Sequence, residues 1–88
     1  MSESDSAVVL DEVQQVLRET LQLPATRPLR TDTQLLGGIP ELDSMAVVAV
    51  MTALEDRFGF VIDDDEISAE TFATLGSLVE FVEGKARA

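Results

Sequence analysis

In the first quarter of the chain the apolar residues Val9, Val13, Val16, Leu17 and Leu21 recur at steps of three and four, the repeat of one buried helical stripe. The spacing predicts a first helix from Ser6 to about Leu23. Ser4 or Ser6 would cap it, Asp11 and Glu12 lie in its early turns, and Pro24 marks the stop. Between Leu23 and Leu42 the repeat breaks. Pro24, Pro28, Gly37, Gly38 and Pro40 stand too close for a long regular element, and Leu29, Leu35, Leu36 and Ile39 are scattered among them, so a long, partly packed loop is expected.

Val47, Val50, Met51, Leu54 and Phe58 then share a face between a capping Asp43 and a terminating Gly59, which predicts a second helix from about Ser44 to Phe58. Leu54 and Phe58 are expected to pack against the first and last helices. Phe60, Val61 and Ile62 form a short apolar stretch expected to tuck under the helices, and Asp63 to Glu66 follow as an acidic turn. Ser68 can cap a short helix around Ala69 to Ala73. Thr74 can cap a last one, with Leu75, Leu78, Val79 and Val82 on one face and Gly84 closing the ordered chain. No stretch alternates with period two and no internal repeat is present. The chain therefore reads as an all-α, four-helix bundle of three main helices and one short helix, with the long loop between helices one and two. The 88 residues form a single domain, 1-88, with an ordered core of about 6-84.

Composition narrows the chemistry. Cysteine, histidine, tryptophan and tyrosine are all absent, which removes disulfides, thiolate or imidazole zinc sites, cysteine nucleophiles and a serine-histidine couple. No apolar run reaches the roughly 18 residues of a membrane span, so a soluble, cytoplasmic protein is expected. Seventeen acidic residues against six basic give a formal net charge of -11, concentrated between Asp32 and Gly84, where Arg57 is the sole base. Such a chain is repelled by phosphate backbones and anionic lipid, which argues against nucleic acid and membrane surfaces, while it attracts basic protein partners. The same imbalance is also what plain solubility would produce. A calcium loop at Asp63 to Glu66 would need alternating acids, a central glycine and a terminal glutamate, and no glycine occurs between Gly59 and Gly76; a solvated turn is expected, with no metal.

Ser44, at the first position of the second helix, is the one polar residue in a telling place. A helix N-terminus presents unpaired amides and the positive end of the dipole, so it stabilises an attached phosphate. The same residue could simply help cap the helix. As a catalytic nucleophile it lacks a base, since there is no histidine and the one lysine, Lys85, sits in the tail.

Leu42-Asp43-Ser44-Met45 followed by an apolar helix resembles the Asp-Ser-Leu motif of acyl carrier proteins. Ala53 to Gly59 (Ala-Leu-Glu-Asp-Arg-Phe-Gly) is similar to the end of that family's second helix. Ile62 with its following acids is similar to the next loop, and Phe72-Ala73-Thr74-Leu75 with Leu78 to the start of the last helix. The likeness covers about Thr33 to Val82. It implies an acyl-carrier-like bundle in which Ser44 is the covalent attachment point of 4'-phosphopantetheine, with Asp43 as cap and motif residue and no catalytic residue of the chain's own. The arm's thiol would carry acyl groups as thioesters between partner enzymes. The partners it implies are a phosphopantetheinyl transferase, an acyl-loading ligase or synthase, and acyl-transfer enzymes with basic docking surfaces, with the chain acting as a monomer.

Three departures bear on those partners. Glu41 stands where the family often has glycine, Met45 where leucine usually follows the serine, and Ala46, Val48 and Ala49 occupy turns that are often acidic in fatty-acid carriers. Met45 and Val48 are either covered by the first loop or form an apolar contact patch. Glu55 and Asp56, farther along, are either a solvated helix end or the meeting point for basic grooves. The Asp-Ser-Met variant also resembles D-alanyl carriers, and the whole pattern resembles the discrete carriers of exosortase and exopolysaccharide clusters. The alternative functions are therefore an aminoacyl carrier of the same fold, or an unmodified acidic module that binds a basic protein through charge alone.

Overall fold

The computed structural model describes residues 3–87. Three α-helices and one short 3-10 turn follow in order: α1 (Glu3–Leu21), α2 (Ser44–Phe58), η1 (Asp64–Glu66) and α3 (Leu75–Arg87). No strand is found among the described residues, and the one β-type contact is an isolated bridge between Gln34 and Thr74. The all-helical reading holds, with two corrections at its ends. The first helix begins at Glu3, ahead of Ser4 and Ser6, so neither is its cap. It stops at Leu21 because Gln22 turns into the left-handed region (φ 56°), where the Leu23 amide donates back to the Arg18 carbonyl at 2.9 Å. The chain has already reversed before Pro24 is reached.

The short helix expected around Ala69 to Ala73 is instead a run of turns. The Thr71 amide bonds the Ser68 carbonyl at 3.1 Å and the Ala73 amide the Glu70 carbonyl at 3.2 Å. These are three-residue closures that never propagate to the four-residue ladder of an α-helix. The single 3-10 turn lies earlier, over the acidic run itself. At the head of α3, Thr74 and Ser77 cap each other: the Ser77 amide donates to Thr74 Oγ1 and the Thr74 amide to Ser77 Oγ, each at 3.1 Å. Helix α3 then runs through Gly84 to Arg87. Lys85 is therefore helical rather than in a tail, and its Nζ holds both carboxylate oxygens of Glu66 at 2.9 Å.

The core combines helix stripes with loop residues. Val13, Val16, Leu17 and Leu21 from α1, Val50 and Leu54 from α2, and Leu75, Leu78, Val79 and Val82 from α3 are buried with Leu23, Leu29, Leu35, Ile39, Leu42, Ile62 and Phe72 from outside the helices. The first loop is thus a packed layer. Gln14 and Arg18 of α1 donate to the Leu29 and Arg27 carbonyls at 2.7 and 3.0 Å. On the other side the Leu35 and Leu36 amides bond the Ala73 and Phe72 carbonyls, and the Leu75 and Gly76 amides bond the Thr33 and Thr31 carbonyls, all within 3.0 Å. Gly76 permits that last approach, since a Cβ there would meet the Thr31 oxygen at 2.9 Å. The loop is pinned at both faces, and its end delivers the chain to Asp43.

One apolar residue falls elsewhere than expected, and a second is only partly covered. Val61 is 72% exposed, so only Ile62 of the stretch Phe60 to Ile62 is fully buried, with Phe60 half-buried. Phe58 is also only half-buried and stacks on Phe60, ring centroids 5.8 Å apart and nearly parallel. Both rings pack against the buried core, Phe58 from the last turn of α2 and Phe60 from just past Gly59.

Candidate functional site

Helix α2 starts where the sequence places its start. Asp43 is extended (φ -100°, ψ -175°), and its Oδ1 accepts from the Ala46 amide at 2.8 Å while its carbonyl accepts from the Val47 amide at 2.9 Å. That leaves the amides of Ser44 and Met45 without an intrahelical partner, as the first turn of a helix requires. Ser44 itself is solvent-exposed, directly at this electropositive end. The first turn of α2 carries no acidic side chain. A phosphodiester on Ser44 fits this position: the amides and dipole favour its charge, and nothing buried has to move to admit it.

Beside Ser44 lies a groove of about 310 Å³, formed by Leu36, Val47, Ile67, Ala69 and Phe72 together with Ser44 and Ser68. A second groove of about 310 Å³ lies between Val48, Met51, Thr52, Glu55 and Ile62 and shares Val47 and Ile67 with the first. Ile67 and Leu36 were not singled out from sequence; the apolar Ile67 directly after four acids was the signal for a side chain held against α2. A third hollow of about 330 Å³, between α1 and α3, does not include Ser44. Glu66, next to Ile67, ties this wall to α3 through Lys85. The Lys85 ammonium first, and then the Asp63 amide donating at 2.9 Å, hold the Glu66 carboxyl below its ordinary range.

The four residues expected to meet partners divide into two pairs. Met45 and Val48 are 80% and 61% exposed, so the first loop does not cover them and they form part of the open face next to Ser44. Asp56 is exposed. Glu55 faces the loop that follows the helix, and its Oε2 accepts from the Ile62 amide at 2.6 Å. Its carboxylate is therefore engaged within the fold. The departure at Glu41 also has a structural partner, Arg27 Nη1 at 3.4 Å, across the first loop.

Comparison with known proteins agrees with this geometry. The family model for the phosphopantetheine attachment site matches residues 11–82. An acyl carrier protein from Sulfurovum sp. (strain NBC37-1) is 32% identical over 75 residues, covering 85% of this chain and 95% of that protein. The solution NMR structure of a holo acyl carrier protein from Nitrosomonas europaea superposes with a TM-score of 0.81 at 55% identity, covering 90% of this chain and 96% of the other. The chain belongs to the phosphopantetheine-attachment family of acyl carrier proteins, and phosphopantetheine is its prosthetic group. Members of this family carry groups for other enzymes rather than catalyse reactions themselves.

Proposed function

We propose that the chain carries its 4'-phosphopantetheine on Ser44 and moves acyl thioesters between separate enzymes. The observation that carries this reading is the position of Ser44, exposed at the capped head of α2 and at the lip of an apolar groove. The serine hydroxyl is the acceptor, and a transferase supplies the base and binds the nucleotide-linked phosphopantetheine donor, whose nucleotide leaves as the Ser44 oxygen bonds the phosphorus. The one lysine is committed to Glu66 and no histidine exists to activate Ser44 internally. A thiol on a flexible arm then holds its load at high effective concentration near each docked enzyme.

Partner recognition divides along α2. Met45 and Val48 offer an apolar contact beside the attachment point, and Asp56 offers charge farther along. Glu55 supports the fold through Ile62. The enzymes that load and unload the arm bring basic rims that meet the acidic surface, and the chain works as a monomer in the cytoplasm. No helix among the described residues is long and apolar enough to cross a membrane.

Co-expression with a broad-specificity phosphopantetheinyl transferase, followed by intact-mass measurement, tests the assignment. One phosphopantetheine per chain is expected, and Ser44→Ala should abolish it with the helical spectrum intact. An unmodified wild-type chain with two unrelated active transferases, or modification at another serine, would overturn it. Binding kinetics test the recognition scheme: Met45→Ala and Val48→Ala should speed dissociation of the transferase, while Asp56→Asn should flatten the salt dependence of association.

A further inference from the structure

Met45 is the most exposed of the large apolar side chains among the described residues, at 80%, and it follows Ser44 directly. It is a thioether where the family's motif, as compared above, usually has leucine. Its surroundings carry no acidic side chain in the first turn of α2, and Val48, three residues on, adds a second exposed apolar group on the same side of the helix. By contrast, Met51 is half-buried against the core. The two methionines of α2 thus differ in access to a solvent-borne oxidant, and the accessible one lies on the face that a transferase must approach to reach Ser44.

We propose that Met45 is a redox-sensitive modification site whose oxidation by a hydroperoxide slows loading of Ser44. This rests on Ser44 being the attachment residue. The sulfur lone pair attacks the outer peroxide oxygen, the S–O bond forms as the O–O bond breaks, and the displaced alkoxide, or hydroxide from hydrogen peroxide, takes the proton of the transferred oxygen and leaves as an alcohol or water. Sulfur is oxidised by two electrons and the peroxide is reduced by two, giving the sulfoxide, which a methionine sulfoxide reductase reverses. The product places a strongly polar S=O group where Val48 and Met45 had offered a dry contact. A partner socket shaped for a thioether must then leave that dipole unpaired or admit water. The fold itself is untouched, because the side chain contributes nothing to the core.

The test uses the full apo chain, hydrogen peroxide as oxidant, and a phosphopantetheinyl transferase. Untreated wild type must first be loaded at Ser44; failure there defeats the attachment reading before any oxidant is added. Peptide mapping after mild peroxide treatment should find Met45 oxidised ahead of Met51. The loading kcat/KM should then fall by at least about tenfold, a loss of the size expected when a contact residue is spoiled. Met45→Leu, which has no oxidisable sulfur at this position, should be loaded after peroxide at the same rate as that variant before peroxide, and sulfoxide reductase should restore the oxidised wild type. An oxidised Met45 loaded at the untreated rate, an equal loss in Met45→Leu, preferential oxidation of Met51, or a collapse of the helical spectrum on Met45 oxidation would each overturn the proposal.

Discussion

The two ends of α2 are built to opposite rules. At its head, Asp43 caps one amide and the next exposed residues, Ser44, Met45, Val48 and Ala49, make no tie to the rest of the bundle. At its tail nearly every side chain is committed. Leu54 is fully buried, and Glu55 holds the Ile62 amide. Arg57 reaches Glu12 at 2.6 Å and Gln15 at 2.8 Å on α1, Phe58 stacks on Phe60, and Gly59 closes the helix in the left-handed region at φ 74°. A helix anchored at one end is a rigid mount for the other. The head can therefore present a modified serine and an apolar face without the fold depending on what that face meets.

If that division is right, substitutions at the tail should damage stability and those at the head should not. Leu54→Ala should have the largest effect, about 2 to 5 kcal/mol, because it removes a fully buried side chain among helices that cannot collapse onto the gap. Val48→Ala should stay within about 0.5 kcal/mol, as surface changes do. Urea titrations of both variants would check the contrast, and a Val48→Ala loss above 1 kcal/mol would show that the head is also part of the anchor. Phe58→Ala should cost less than Leu54→Ala, since Phe58 is only half-buried against the core.

Gly59 and Asp43 sharpen the comparison at the two caps. Gly59→Ala places a Cβ on a left-handed backbone and should cost about 1 to 2 kcal/mol even though nothing lies within 4 Å of it. The space is free, so the whole effect would be conformational. Asp43→Ala removes the bond to the Ala46 amide and should cost about 0.5 to 2 kcal/mol. It should also slow transferase loading, whereas Gly59→Ala should leave loading of the folded fraction unchanged. Thermal melts paired with loading rates separate the two.

The bounds of α2 were legible in sequence because both ends carry chemistry that works locally: an aspartate cap and a glycine that tolerates positive φ. The stripe of α1 was legible for the same reason of short range. Its stop was not, because Gln22 adopts the left-handed turn that sequence logic reserves for glycine or asparagine, and the Leu23 to Arg18 bond that fixes it becomes visible only in three dimensions. Residues 69–73 misled because Ser68 looks like a cap, yet the carbonyls of Phe72 and Ala73 accept from the Leu36 and Leu35 amides of the first loop. Tertiary pairing won over local propensity. Ser44 and Asp43 were legible as a site from the motif. The groove beside them was not, since its walls at Leu36, Ile67 and Phe72 come from segments far apart in the chain.

The smallest expected effect concerns the strut that holds one of those walls. Glu66 has its carboxyl held below the ordinary range chiefly by Lys85, so the folded state binds that proton less readily than the unfolded chain does. The contribution is therefore present above the unfolded-state value and is lost as pH falls through the folded-state value. Since the carboxylate remains in contact with water, screening keeps the effect modest. Stability measured from pH 7 downward should thus fall more gently between those two values in Lys85→Gln than in wild type, with the curves converging in stronger acid. Ile67, one residue on, separates the two grooves along α2, so the same substitution should increase amide exchange at residues 66–68 at neutral pH. Parallel pH profiles for the two proteins, or unchanged exchange at those residues, would show that Ile67 is held by its own packing and that the ion pair is incidental to the wall.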